Sequence, residues 1–389
     1  MKVFVILISI LLPCFLPHSL DAQDSTHIDI RFQSEVFGTE RRVRVYLPKR
    51  YQADSTTRFV TTYVLDAQSD GLWDMASGNI GYLVESYLVI PMIAIGIHSD
   101  DRGSEFNPPA TQLREHLKKE VFPRIEKRFR TKPLRTVVGH SWGGAFVSST
   151  LFSEDRDMFD GYIGISPSMD YDDYALFPQA DSLLKSKAAF RKFFYCTAGD
   201  IGRREFESQE GIVKMDSMLK ANPREDLVWG KRIYEHMDHW ACVIPSFNDG
   251  LINMSRNYFA DQHMLGQFAT TSPANIKQEA LAFYARQDSI FGFTHPLGAG
   301  YLRFVADDFR DMDGYTEAIG LYTWVLEKKP KDVKTYVNLA DTYYKMKNFE
   351  AAKPAFKKVL ELLELQKAKL SDSFYSNIKK WAAEKLEEL

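Results

Sequence analysis

The densest chemistry in the chain is the run Gly139-His140-Ser141-Trp142-Gly143-Gly144. It fits G-x-S-x-G, the pattern of a serine held on a tight strand-to-helix turn. Such a turn strains the serine backbone. Side chains two positions before and two after would collide with it, which predicts glycine at both. The serine oxygen is then presented at the carboxyl edge of a sheet. The helix that starts there offers its amino-terminal dipole to a developing oxyanion. The flanks agree, since Thr136-Val137-Val138 reads as strand and Ala145 to Phe152 as helix.

A serine nucleophile needs a base, and the base needs a carboxylate to orient it. In chains of this pattern the acid and then the histidine follow the serine. Four histidines lie downstream: His236, His239, His263 and His295. His239, just past the last predicted strand, is preferred as general base, with His236 as runner-up. His263 and His295 lie beyond the predicted sheet and read as surface or linker residues. For the acid, Asp200 is preferred because it follows the predicted strand Lys192 to Thr197. Glu205 is the alternative, and Glu207 competes on the same loop. Asp238 adjoins His239 in sequence and is poorly placed to reach it. The oxyanion would take the amide of Trp142 and a second amide after the third strand, from Ala67 or Gln68. Trp73, Phe106, Trp142, Tyr171 and Tyr174 are candidates to line a cleft near Ser141. Asp170, Asp172 and Asp173 make the loop after Ser168 acidic.

The elements needed to position these residues can be read from the pattern. His27 to Val36 and Arg42 to Leu47 alternate around Gly38, predicting an antiparallel hairpin. Phe59 to Leu65 and Val89 to Ile97 are continuous apolar runs, as in strands buried on both faces. Leu113, Leu117, Val121 and Ile125 share one helical face within Thr111 to Arg128. Phe159 to Ile165, Lys192 to Thr197 and Leu227 to Tyr234 complete the strand set. Strands alternating with helices predict a mostly parallel α/β sheet with helices on both faces.

The remainder of the chain bounds the problem. Its 389 residues exceed one small core, and 45% hydrophobic with 26% charged content is ordinary for a globular protein. A net charge of -3 argues against a nucleic-acid binder, which needs a dense cationic face. Met1-Lys2, the apolar run Val3 to Leu16 and the small residue Ala22 match a secretory signal cleaved near Ala22, implying a periplasmic or secreted protein. The run is too short and Pro-broken for a comfortable membrane span. Pro13 before Cys14 fits a lipoprotein signal poorly. An oxidising compartment would permit a Cys196–Cys242 disulfide, yet two cysteines in so large a domain are expected as buried thiols. There is no Cys/His cluster with zinc spacing.

The last third is helical and repeats. Leu302, Val305, Ala306 and Phe309 recur 34 residues later as Tyr336, Leu339, Ala340 and Tyr343. Tyr315, Ala318, Tyr322 and Leu326 recur at the same interval as Phe349, Ala352, Phe356 and Leu360. The period and pattern are similar to the tetratricopeptide repeat, a helix pair per unit. Glu364 stands where Pro330 would recur, and an amphipathic helix over Ser371 to Leu386 would cap the stack. The organisation expected is a signal over 1–22, a hydrolase domain over 23–260, a helical connector over 261–298 and repeats over 299–389.

Several runs carry a family resemblance. They are Val45-Tyr46-Leu47-Pro48, Tyr63-Val64-Leu65-Asp66, Ile93-Ala94-Ile95-Gly96-Ile97, Asp101-Arg102, Asn107-Pro108, the Ser141 motif, Ile165-Ser166-Pro167-Ser168, and His239 with Pro245-Ser246 and Gly250-Leu251. In this order, over about Ile28 to Asn257, they resemble the esterase D and enterochelin-esterase-like branch of the α/β-hydrolases. The resemblance implies hydrolysis of carboxylic esters through an acyl-enzyme on Ser141, without metal or organic cofactor. Substrates in such families include siderophore esters, feruloyl or acetyl esters on carbohydrate, and S-formylglutathione. Ala67 departs from the glycine that commonly follows the Asp, but it keeps the backbone donor. Two other readings stand beside the esterase. One is an acyltransferase on the same residues. The other is a binding protein that uses the repeats, for a protein partner or self-association, and carries a vestigial hydrolase domain.

Overall fold

The computed structural model describes residues 26–53, 55–186, 188–272 and 275–389. The expected signal, with Cys14 and the Ala22 cleavage point, lies outside them.

Eight strands form one sheet in the order β1-β2-β4-β3-β5-β6-β7-β8. They are β1 (His27–Gln33), β2 (Glu40–Tyr46), β3 (Phe59–Val64), β4 (Met92–Ile97), β5 (Thr131–His140), β6 (Gly161–Ile165), β7 (Lys192–Ala198) and β8 (Leu227–Ile233). β1 pairs antiparallel with β2, and β2 with β4; the other pairs are parallel. The front hairpin and parallel body are those expected. Burial explains the composition. Every residue of β3 and β4 is buried, so neither carries a charge and both are rich in apolar and β-branched residues. β1 is an edge strand exposed on one face, and its sequence alternates. Each fully buried Ile of β4 contributes about 1.5–3 kcal/mol through removal from water.

One helix departs from regularity. Thr111–His116 and Phe122–Arg128 are α-helical, but Leu117–Val121 between them is a π-helix. The apolar residues of this stretch recur every four positions, which drifts about 40° per step on a 3.6-residue turn. The wider π turn absorbs the drift, and Leu113, Leu117, Val121 and Ile125 all stay buried.

Because β3 to β8 run parallel, their carboxyl ends share one edge, where loops can gather side chains from distant parts of the sequence. The helical tail attaches to the opposite edge. It comprises helices Gln262–Thr271 and Ile276–Phe291, the pairs Ala299–Asp311 with Tyr315–Lys328 and Val333–Lys345 with Phe349–Gln366, and the last helix Asp372–Glu387. The pairs reproduce the 34-residue period, with Ala306, Ala318, Ala340 and Ala352 buried where helices press together. The stretch expected as a helical connector, 261–298, holds two of these helices, Gln262–Thr271 and Ile276–Phe291.

The docking contacts fix the tail's position. The Tyr301 ring lies 5.6 Å from Tyr87, ahead of β4, and 5.1 Å from Phe259. Lys132, at the start of β5, places Nζ 3.2 Å from His295 Nδ1. A single apolar core runs from Val60 of β3 to Leu339 of the second repeat. The repeats are therefore fused to the amino edge of the sheet, away from Ser141.

Candidate active site

β5 ends at His140, and the helix Trp142–Leu151 begins immediately after Ser141. Ser141 holds φ 58° and ψ −114°, outside the usual regions for a side-chain-bearing residue. Three backbone hydrogen bonds fix it there. Its amide donates to Ile165 O at 2.9 Å, and its carbonyl accepts from Ala145 N at 3.0 Å and Ser168 N at 3.2 Å. A Cβ at Gly139 would sit 2.3 Å from Gly143 O, and one at Gly144 would sit 2.7 Å from Pro167 Cα. Apart from its chain neighbours and its own helix backbone, a Cβ at Gly143 would come no nearer than 3.5 Å to any atom. The tightest approach from another element falls at Gly144, because β6 turns back at Pro167 against the start of the helix.

His239 and Glu205 meet. His239 Nδ1 lies 2.6 Å from Glu205 Oε1, and the Glu205 side chain is wholly buried. Glu205 Oε2 accepts from the Gly199 amide and from Ser166 Oγ, the latter at 2.9 Å. Burial alone would raise this carboxyl, but hydrogen bonds from His239, Gly199 and Ser166 outweigh it and hold its pKa below the ordinary value. An ionised Glu205 on Nδ1 leaves Nε2 of His239 as the nitrogen able to take a proton. Among the described residues neither Ser141 Oγ nor His239 Nε2 has a hydrogen-bond partner. His140 braces the histidine loop. Its Nε2 donates to the His239 carbonyl at 2.9 Å, and the two rings lie 4.4 Å apart. Burial, reinforced by the neighbouring His239, pushes the pKa of His140 down to about 3, so its ring is neutral at physiological pH.

Asp200, the preferred acid, does not reach His239. Its carboxylate accepts from the Met237 amide at 3.2 Å, and its own amide donates to Met237 O at 2.9 Å. The loops after β7 and β8 are pressed together here, since a Cβ at Gly199 would lie 2.1 Å from Met237 O. Gly202 at φ 94° then starts the helix Arg203–Ala221, whose first turn swings Glu205 back beneath the histidine. Glu207 pairs with Arg203 on the surface. Asp238 caps the amides of Trp240 and Ala241 at 2.9 and 2.8 Å. His236 and His263 are exposed, and His295 is partly buried beside Lys132 under the amino edge.

The Trp142 amide heads its helix and has no acceptor within it, as expected of an oxyanion donor. Ala67 does not serve, because its amide donates to Ile97 O at 3.1 Å. Of the two candidates, that leaves Gln68. Its side chain is anchored at both ends, with Oε1 accepting from Ser99 N at 3.0 Å and Nε2 donating to Asp66 at 2.8 Å. Asp66, at φ 64°, is gripped by Arg102 at 2.8 and 3.1 Å, and Arg102 Nη2 reaches the His140 carbonyl at 3.4 Å. Arg102 thus ties the donor loop to the nucleophile turn.

Comparison with known proteins agrees with this geometry. A family model described as "Putative esterase" matches residues 34–242, more than half of the chain. The chain belongs to this esterase family. A tetratricopeptide-repeat model matches residues 333–362, the second helix pair. No curated protein matches the sequence. Among solved structures, an IroE-like serine hydrolase from Shewanella oneidensis is 18% identical with a TM-score of 0.63, covering 77% of this chain and 99% of that one. The siderophore hydrolase EstB from Aspergillus nidulans is 16% identical with a TM-score of 0.53, covering 62% and 98%. An uncharacterised protein from Capnocytophaga ochracea is 13% identical with a TM-score of 0.61, covering 86% and 93%. That 86% is more than residues 1–298 can supply, so the likeness of fold extends into the repeats.

The remaining candidates divide. Trp73 and Phe106 are buried core rather than cleft lining, with Trp73 packed where a Cβ on Gly96 would lie. Trp142, Tyr171 and Tyr174 are partly buried against the core that contains Phe106. Asp172 and Asp173 are exposed in left-handed backbone. Cys196 and Cys242 are both free and buried, with Cys242 Sγ 3.2 Å from Ser166 Oγ. No cluster of three or more His, Cys, Asp or Glu among the described residues could hold a metal ion. Sequence reasoning missed Ser166 and Arg102 as supports of the site and Trp240 as its exposed aromatic. The family runs containing Ser166 and Arg102 were visible, but not what the side chains touch.

Proposed function

We propose that this esterase is an exported serine hydrolase of carboxylic esters. Ser141 Oγ attacks the ester carbonyl while His239 Nε2 takes its proton, and Glu205 orients the imidazole and stabilises its cation. The amides of Trp142 and Gln68 receive the oxyanion. His239 returns the proton to the leaving alcohol, and a water activated by the same nitrogen then frees the acid. The observation that carries the reading is the 2.6 Å contact of His239 Nδ1 with a buried Glu205, beside a serine on a strained elbow. Hydrolysis is favoured over acyl transfer because the rim beside His239 is open to solvent, with Trp240 62% exposed. A siderophore hydrolase among the structural neighbours makes siderophore esters the first natural class to test. Export rests on the composition of Met1 to Ala22. The position of the repeats on the amino edge supports a role in binding a protein partner or a second copy rather than substrate.

The test is hydrolysis of a p-nitrophenyl ester panel by the chain beginning at Gln23, with and without a serine-reactive phosphonate. Turnover that the reagent blocks, with the adduct on Ser141, is expected. A folded protein with neither turnover nor adduct would overturn the proposal.

A further inference from the structure

Trp240 follows His239 directly and leaves 62% of its surface in solvent. One side of the indole is held against the site. Its ring lies 5.8 Å from that of His239, nearly perpendicular at 82°, and 5.1 Å from that of His140. Its backbone is fixed by the Asp238 cap, and Val243 N donates to its carbonyl at 3.2 Å. The indole is therefore a rigid surface, and little ordering would be needed for it to receive a ligand.

Other apolar side chains are exposed on the neighbouring segments. Ile244, in the first turn of the helix Val243–Ser255, is 55% exposed. Phe206, next to Glu205, is 60% exposed, and Ile201, whose amide donates to Met237 O, is 50% exposed. Trp240, Ile244, Phe206 and Ile201 are thus four exposed apolar side chains on the segments that carry His239 and Glu205, and the repeats, on the far edge, do not cover these segments. Scattered exposed apolar residues need no explanation, but an exposed indole held against the imidazole of a site does.

Resting on the serine-hydrolase reading, we propose that Trp240 is a stacking platform for an aromatic ring in the alcohol half of the ester. The mechanism decides which half. His239 delivers the proton to the leaving oxygen, so the leaving group lies on the His239 side of the reacting carbon, where Trp240 stands. A flat ring would use the exposed indole face in an offset arrangement.

The test uses substrates matched in leaving-group chemistry: benzyl acetate against cyclohexylmethyl acetate, followed by release of acid. Wild type is expected to prefer the benzyl ester by about three- to tenfold in kcat/KM. W240A should lose most of that preference, chiefly through KM because the ring is remote from the reacting atoms, while W240F should keep part of it. Circular dichroism confirms that each variant is folded. The reversed pair, methyl phenylacetate against methyl cyclohexylacetate, should show no dependence on Trp240. Turnover with Ser141 labelled by the phosphonate, but no benzyl preference or an equal preference in W240A, would overturn the platform alone. A Trp240-dependent preference in the reversed pair would overturn the leaving-group assignment. Absence of both turnover and label would remove the serine-hydrolase reading and the platform together.

Discussion

Two buried histidine–glutamate pairs among the described residues invite comparison, His116 with Glu120 and His239 with Glu205, and only the second lies at the carboxyl edge of the sheet near Ser141. Ser34, His116 and Glu120 are all buried, and they fasten the β1–β2 turn to the π segment. Ser34 Oγ donates to Glu120 at 2.6 Å, so its proton already rests against a carboxylate. The same imidazole nitrogen, Nδ1, faces both Ser34 and Glu120. Glu120 also accepts from the amides of Glu35 and Val36, at 2.7 and 3.3 Å. In the other pair Glu205 takes Nδ1 of His239 on one oxygen and Ser166 and Gly199 on the other, while Ser141 stands apart on a strained turn at the sheet edge. On the proposed mechanism the same residue types make a structural clasp in one place and a reactive centre in the other, according to whether the serine is free of the carboxylate and whether substrate can reach it.

Ser141→Ala against Ser34→Ala should give the largest contrast. The first is expected to lower kcat/KM by about four to six orders of magnitude with the urea midpoint unchanged. The second should keep turnover and lower stability by about 1–3 kcal/mol, because Glu120 loses a buried donor. If Ser34→Ala abolished turnover in a folded protein, the distinction would collapse.

Glu205→Gln should reduce kcat/KM by about two to four orders of magnitude, against less than tenfold for Asp200→Asn. Equal small losses would show that neither acid orients His239. Arg102→Ala sharpens the comparison further, since the clasp has no need of an oxyanion loop. It should lower kcat by about ten- to hundredfold, and Arg102→Lys should not restore it, because one ammonium cannot reproduce the two-pronged grip on Asp66.

The smallest effect is in the pH dependence of stability. Burial would raise Glu120, but hydrogen bonds led by Ser34 and His116 bring its pKa down to about 2, from the ordinary 4.5. Its folded-state value is below its unfolded value. The stabilisation is therefore complete above about pH 4.5 and is lost as pH falls toward 2. Glu120→Gln should flatten the decline of the urea midpoint across that window. An unchanged slope would show that the clasp does not hold Glu120 as a charged acceptor.

Much of this was legible without coordinates because it is local. The elbow from Gly139 to Gly144 needs only a short strand, a turn and a helix start, all contiguous in sequence. β3 and β4 announced their double burial by composition, and the helix pairs announced themselves through the 34-residue recurrence of Ala306 as Ala340 and Ala318 as Ala352. Distance along the chain set the limit. Asp200 and Glu205 are five positions apart, and the choice between them turned on Gly199 meeting Met237 and on where the next helix began.

The sequence by itself determined the alternation of strands and helices, the tight turn at Ser141 and the repeat, because periodicity and steric pattern write these into neighbouring residues. Only the tertiary structure decided that Glu205 lies under His239, that Ala67 spends its amide on Ile97, that Trp73 and Phe106 are core while Trp240 faces solvent, and that the repeats sit on the edge opposite Ser141. Each of these depends on contacts between segments tens to hundreds of residues apart. Packing and hydrogen-bond competition settle such contacts, and no local pattern encodes them.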